Sequence, residues 1–170
     1  MKIGVISDTH GVLEKRVTDF LSDCDEIWHA GDVGNSEIID TLNTIAPTRG
    51  VYGNIDGNDI RSVFPENIIF SVQSQKVIIT HIAGNPPRYN PRVKKLINDH
   101  HPDIFVCGHS HILKVMFDKA NNLLYINPGA LGNQGFHKKK TAVRFQLSNG
   151  KPIKMEVLDY GRHKKKDPYP

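Results

Sequence analysis

The sequence predicts an α/β fold in which two packed β-sheets are flanked by helices, and three observations lead there. The first sixty residues alternate strand, helix, strand, helix, strand. The remainder is rich in paired strands, and the residues able to do chemistry stand where strands stop.

The stretch "KIGVIS" is a short apolar run rich in β-branched residues, the signature of a buried strand. "LEKRVTDFLSD" then spaces Leu13, Val17, Phe20 and Leu21 as one face of a helix, and "DEIWHA" is strand-like again. "SEIIDTLNTI" reads as a second helix, with Ser36 as its expected cap and Ile38, Ile39, Leu42 and Ile45 on one side. "TRGVYG" is a third strand, so the opening β-α-β-α-β unit implies parallel strands joined by right-handed crossovers. After about Ile60 the rhythm changes. "NIIFSVQSQKVIITH" is two strands around a polar turn, "PRVKKLIND" a helix and "DIFVCGHSH" a strand ending in histidines. "KVMFDKANNLLYINPG" forms a hairpin turning at Ala120 to Asn122, and "TAVRFQLSNGKPIKMEVLDY" a second one around Asn149-Gly150.

Composition bounds the rest. A chain of 170 residues, 38% hydrophobic and 24% charged, suits one globular domain. That domain is expected over residues 1–160, with 161–170 a basic C-terminal tail; "RHKKKDPYP" lacks any apolar periodicity. Cys24 and Cys107 lie far apart in apolar surroundings, which favours free thiols in a reducing compartment. The apolar run of "MKIGVIS" is broken at once by "DTH", too early for a secretory leader or a membrane span, so a cytoplasmic protein with no membrane partner is expected. Charge is unevenly spread: residues 1–60 hold eleven Asp/Glu against four Lys/Arg, a net of −7, and the remainder carries +11. An acidic start can serve divalent cations and a basic second half an anionic substrate, although solvated faces of opposite sign would read the same way.

Seven side chains then stand out. Asp8 and His10 follow the first strand, Asp32 the second, Asn54 the third, His81 the fifth, and His109 and His111 the strand "DIFVCG". Side chains at the carboxyl ends of parallel strands converge from distant parts of a chain. Singly each is ordinary: Asp8 could cap a helix, and glycine beside Asp32 or Asn54 is common turn chemistry. Together, carboxylate, amide oxygen and imidazole with no thiolate suit two divalent first-row ions such as Mn²⁺, Fe²⁺, Ni²⁺ or Zn²⁺, and Mn²⁺ is the ion expected. Of the other histidines, His29 reads as a packed, hydrogen-bonded residue, and His100, His101 and His163 as solvated. His137, with Lys138 to Lys140, is a candidate for the wall of a substrate cleft.

The series Asp8-x-His10, Gly31-Asp32, Gly53-Asn54, His81 and Gly108-His109-Ser110-His111, followed by "INPGA", resembles the calcineurin-like metallophosphoesterase superfamily, in particular its small phosphodiesterases of the YfcE type. The resemblance implies a four-layer αββα sandwich. It also implies one metal on Asp8, His10, Asp32 and His111, and a second on Asp32, Asn54, His81 and His109, with Asp32 bridging. By the same resemblance Asn54 reaches a phosphate oxygen and a metal-bridging hydroxide is the nucleophile. Three departures from the family pattern bear on specificity. Ile55 stands where many members have a histidine that protonates the leaving group, "THIAGNPP" replaces a glycine after the fifth-strand histidine, and Ala130 replaces a serine. The expected function is therefore a phosphodiesterase acting on small diesters with good leaving groups. Two alternatives are a metal-free protein-interaction scaffold of the same fold, against which all seven ligands speak, and a nuclease. The short chain leaves little room for positioning DNA, which disfavours nucleic acid as a partner; a homo-oligomer is left open.

Overall fold

The computed structural model describes residues 1–161. Sheet A is built from β1 (Lys2–Ile6), β2 (Glu26–His29), β3 (Thr48–Gly50), β11 (Lys139–Ser148) and β12 (Lys151–Gly161), in the order β12-β11-β1-β2-β3. Sheet B contains β4 (Asn67–Val72), β5 (Gln75–Thr80), β8 (Ile104–Val106), β10 (Leu123–Pro128) and β9 (Leu113–Asp118), in the order β4-β5-β8-β10-β9. The helices are α1 (Lys15–Leu21), α2 (Ser36–Ile45), α3 (Asn58–Arg61) and α4 (Pro91–His100), and a two-stranded ribbon pairs β6 (Gly84–Asn85) with β7 (Arg88–Tyr89).

Both sheets are mixed. β1, β2 and β3 run parallel, as the opening alternation requires, and β11 closes on β1 antiparallel. In sheet B, β5, β8 and β10 are parallel while β4 and β9 join the edges antiparallel through tight hairpins. Period-two patterning divides the apolar residues between layers. Ile3, Val5, Trp28, Val77, Ile79, Val106 and Val143 pack between the sheets. On the far side of sheet A, Ile6 and Ile27 meet Val17 and Leu21 of α1 and Ile39 and Leu42 of α2. On the far side of sheet B, Ile78, Phe105 and Tyr125 meet Val93 and Ile97 of α4. The result is the expected αββα stack.

Differences from the sequence reading are local. Asn35, not Ser36, caps α2, its side chain accepting from Ile38 N at 3.3 Å. α3 and the β6–β7 ribbon, four and two residues per element, are too short to carry a readable period. The ribbon gives "AGNPPRYN" its shape. Cys24 and Cys107 are both free and buried. β12 continues to Gly161, and the remainder of the expected tail, His163 included, lies outside the described residues. Among the described residues no helix is long and apolar enough to cross a membrane.

Candidate metal centre

The loops that leave β1, β2, β3, β5 and β8 bring all seven singled-out residues to one end of the two sheets. Asp8, His10 and His111 form one group and Asp32, His81 and His109 another; within each, one ligand atom per residue lies within 4.8 Å of the others. In the first group His111 Nε2 is 3.1 Å from Asp8 Oδ1 and 3.4 Å from His10 Nε2. In the second, His81 Nε2 is 3.3 Å from Asp32 Oδ1 and 3.1 Å from Asn54 Oδ1, which adds the amide to that group. The Asp32 carboxylate faces both, because its other oxygen, Oδ2, lies 3.9 Å from His10 Nε2.

The donor set fits cations. Asp8 directs Oδ2 to Ser7 Oγ at 2.6 Å and His109 N at 3.0 Å, whereas its Oδ1 is buried with no hydrogen-bond partner among the described residues. An orphaned carboxylate oxygen beside two imidazole nitrogens is an unfavourable cluster unless a positive charge gathers the lone pairs. His81 presents the right atom: Nδ1 donates to the Ala30 carbonyl at 2.7 Å, which turns Nε2 toward the site.

The backbone at these positions is strained. Asp8, His10, Asp32, His109 and His111 all have φ between 47° and 67°, the left-handed region that side chains other than glycine seldom occupy. Such conformations persist where surrounding structure over-determines them, and they gather at functional sites. Two glycines make room. A Cβ on Gly108 would lie 2.8 Å from Asp8 Oδ2 and 2.9 Å from the Ala30 carbonyl, and one on Gly53 would lie 2.7 Å from the Asp32 carboxyl carbon. These glycines therefore pack against the candidate donors Asp8 and Asp32, beyond any role in turning the chain.

Burial disfavours the charged form of each titrating group, and neighbouring charges act in both senses. Burial lowers the His10 and His109 pKa values; for His109 the neighbouring His81 adds to the effect. Burial opposes charging of both His81 and Asp32, but their mutual hydrogen bond and attraction win, raising the histidine and lowering the aspartate.

His29 is fully buried and structural, as its sequence context indicates. Gly31 N donates to Nδ1 at 3.1 Å, so Nε2 carries the proton to Thr9 Oγ1 at 2.9 Å, and Thr9 in turn donates to the Val33 carbonyl at 2.8 Å. His137 stands beside the centre with its ring edge-on to His111, 5.1 Å between centroids, and its Nε2 lies 3.2 Å from the Gly132 carbonyl. With Lys138 and Lys139 it lines a recess of about 290 Å³ next to His111. Lys140 does not join them; it is buried and pairs with Glu14 at 2.6 Å.

Two residues important to the site escaped sequence reasoning. Asp56 is buried and its carboxylate accepts from three backbone amides, Gly53 at 2.7 Å, Gly34 at 2.9 Å and Val33 at 3.1 Å, clamping the Asn54 loop to the Asp32 loop. Asn127 of "INPG" donates to the Gly108 carbonyl at 2.8 Å and to Ser110 Oγ at 3.0 Å, which steadies the histidine loop. The signal available for both was a polar residue at a strand end or in a turn, which local chemistry alone also explains. Ala130 is wholly buried in that turn, so a hydroxyl there would face the interior.

The model of the calcineurin-like phosphoesterase superfamily domain matches residues 1–150. The chain belongs to that superfamily. Among related sequences, "Probable metallophosphoesterase MJ0623" of Methanocaldococcus jannaschii is 33% identical over 136 residues, covering 76% of this chain and 68% of that one. A second protein of that organism, "Phosphodiesterase MJ0936", is 27% identical over 145 residues, covering 76% of this chain and 83% of the other. Solved structures agree on the fold. A structure described as that of a novel archaeal phosphodiesterase superposes with a TM-score of 0.75 at 22% identity, covering 93% of this chain and 100% of that one. Vps29 of Chaetomium thermophilum superposes at 0.73 with 15% identity, covering 96% of this chain and 100% of the other. Superfamily members use divalent metals, and the two residue groups described above are where this phosphoesterase has the donors for them.

Proposed function

We propose that this protein is a phosphodiesterase with a dinuclear centre, in which Asp8, His10, Asp32 and His111 hold one cation and Asp32, Asn54, His81 and His109 the other. The observation that supports this reading most is the paired geometry: two converging donor groups joined by one carboxylate with an oxygen toward each. Carboxylate, amide and imidazole donors without thiolate admit Mn²⁺, Fe²⁺, Ni²⁺ or Zn²⁺, and Mn²⁺ is the ion to test first. When bound, such a pair supplies an activated water as nucleophile and neutralises charge on the phosphoryl oxygens.

The chain's own residues orient and select. The Ala30 carbonyl fixes the tautomer of His81, Ser7 and the His109 amide hold Asp8, and the Ile55 amide holds Asp32 Oδ1 at 3.1 Å. Asn54 is exposed at the mouth of the centre, where its amide N–H can meet a phosphoryl oxygen. Ile55 offers no proton to a leaving group. That favours diesters whose leaving group departs as an anion, over monoesters, which add negative charge and have poorer leaving groups. The relative named as a phosphodiesterase supports the same preference.

The test is hydrolysis of bis(p-nitrophenyl) phosphate. Chelation should abolish it, Mn²⁺ should restore it, and Asp32→Ala should lose both turnover and bound metal. Turnover retained by the stripped protein, or by the Asp32 variant, refutes the dinuclear reading.

A further inference from the structure

Beside Asn54 and His81 a cleft of about 630 Å³ opens, lined further by Tyr52, Arg61, Glu66, Ile82 and Arg92. Its volume is that of a small-molecule site. Two guanidinium groups belong to the lining, and neutral acceptors hold both. Arg61 donates Nε to the Asp56 carbonyl at 2.7 Å and Nη2 to the Gly53 carbonyl at 3.3 Å, and it stacks 4.1 Å from the centroid of the Tyr52 ring. Its Nη1 makes no hydrogen bond among the described residues. Arg92 donates Nη2 to Thr80 Oγ1 at 2.8 Å and to the Ile82 carbonyl at 3.3 Å, and Nη1 to Asn67 Oδ1 at 3.3 Å.

Carbonyl and hydroxyl acceptors orient a guanidinium but leave its charge in place. The one carboxylate of the lining, Glu66, has a side chain 56% exposed and approaches Arg92 Nε only to 3.6 Å. Two oriented positive charges thus share one loosely engaged negative charge, on the wall next to Asn54. The rim adds to the same potential, since α4 starts at Pro91 behind its Asn90 cap and turns its partially positive end to the cleft. A neutral or cationic substrate arm would leave this charge unanswered.

We propose that the cleft is a subsite for a second anion, so that the diester hydrolysed here carries a carboxylate or a further phosphate on the arm beside Asn54. Tyr52, Ile82 and Pro91 would cover the carbon linker between the two anionic groups. This rests on the phosphodiesterase reading above and narrows its substrate class.

The test uses the Mn²⁺-loaded protein and four p-nitrophenyl phosphodiesters, whose second arm is ethanol, choline, glycolate or ethylene glycol monophosphate. Hydrolysis adds water across the bond to the aryl oxygen, releasing p-nitrophenol and leaving the arm as its phosphate monoester. The two anionic arms should exceed the ethyl arm in kcat/KM by roughly tenfold or more, in keeping with charge-assisted hydrogen bonds, and choline should fall below it. The larger of the two anionic rates says whether carboxylate or phosphate is the better fit. Arg92→Met should bring the anionic-to-ethyl ratio close to unity, and Glu66→Gln should raise it. Calorimetric titration with the product monoesters, ethyl phosphate against phosphoglycolate and ethylene glycol bisphosphate, reads the same preference without turnover. Equal affinities across the arms, or a preference that neither substitution moves, overturns the subsite. If no diester is turned over, the phosphodiesterase reading fails by itself and the titration still decides the subsite.

Discussion

Replacing Asp56 by asparagine should weaken both the fold and the candidate metal centre, by an amount that follows from its hydrogen bonds. The carboxylate Oδ2 accepts from Gly53 N and Val33 N, and Oδ1 from Gly34 N. Asn at this position keeps the volume and one acceptor oxygen. With that oxygen toward Gly53 and Val33, the new amide N–H meets the Gly34 N–H donor to donor, and the two remaining bonds lose their charge assistance. Bonds to charged groups contribute about 1.5–3 kcal/mol and neutral ones about 1, so losing one charged bond and reducing two to neutral ones gives an expected loss of about 2.5–7 kcal/mol. For a domain of this size each kcal/mol moves the midpoint by about 2–4 °C, which gives a fall in Tm of roughly 5–28 °C. Thermal melts in chelator measure the fold alone. Titration with Mn²⁺ then measures the centre, where a displaced Asn54 should cost about 10–100-fold in affinity, the usual effect of losing a residue that positions ligands. A Tm within about 1 °C of the parent, with unchanged Mn²⁺ affinity, would refute the clamp, since even the smallest loss worked out above is larger.

His29 links stability to pH. Burial pushes its imidazole down to about 4 from an ordinary 6.5. Because the folded-state value is depressed, its contribution is whole above about pH 6.5 and is lost as pH falls toward 4, up to about 3 kcal/mol. Urea unfolding at pH 7 and pH 4.5 should show this loss, and His29→Gln should reduce the slope; equal slopes would contradict it. For Ile55→His, the neighbouring Asp56 carboxylate cannot orient the new imidazole, because it is committed to three amides. The gain on alkyl diesters should therefore fall short of the ~10²–10⁴-fold of a positioned general acid. Rates across leaving groups of graded acidity should be steep in the wild type. A flat dependence that His137→Ala makes steep would show that His137, beside His111, is the acid.

By itself the sequence determined the order and kind of nearly every long element, and named the candidate donors of the site. Period-two runs such as "QKVIITH", the helical spacing in "SEIIDTLNTI" and the Asn149-Gly150 turn act over a few residues, so local pattern is enough to read them. Donor types are equally legible, because carboxylate, amide and imidazole are properties of single side chains. Tertiary structure alone decided that β11 inserts beside β1, and that Asp56 is a clamp instead of a free carboxylate. It alone decided the left-handed backbone of Asp8, His10, Asp32, His109 and His111. No local preference favours those conformations; partners far along the chain stabilise them, as when Asp8 Oδ2 takes the amide of His109, 101 positions away. A strained residue is held only when the folded surroundings leave it no alternative, so its conformation is absent from any short window of sequence.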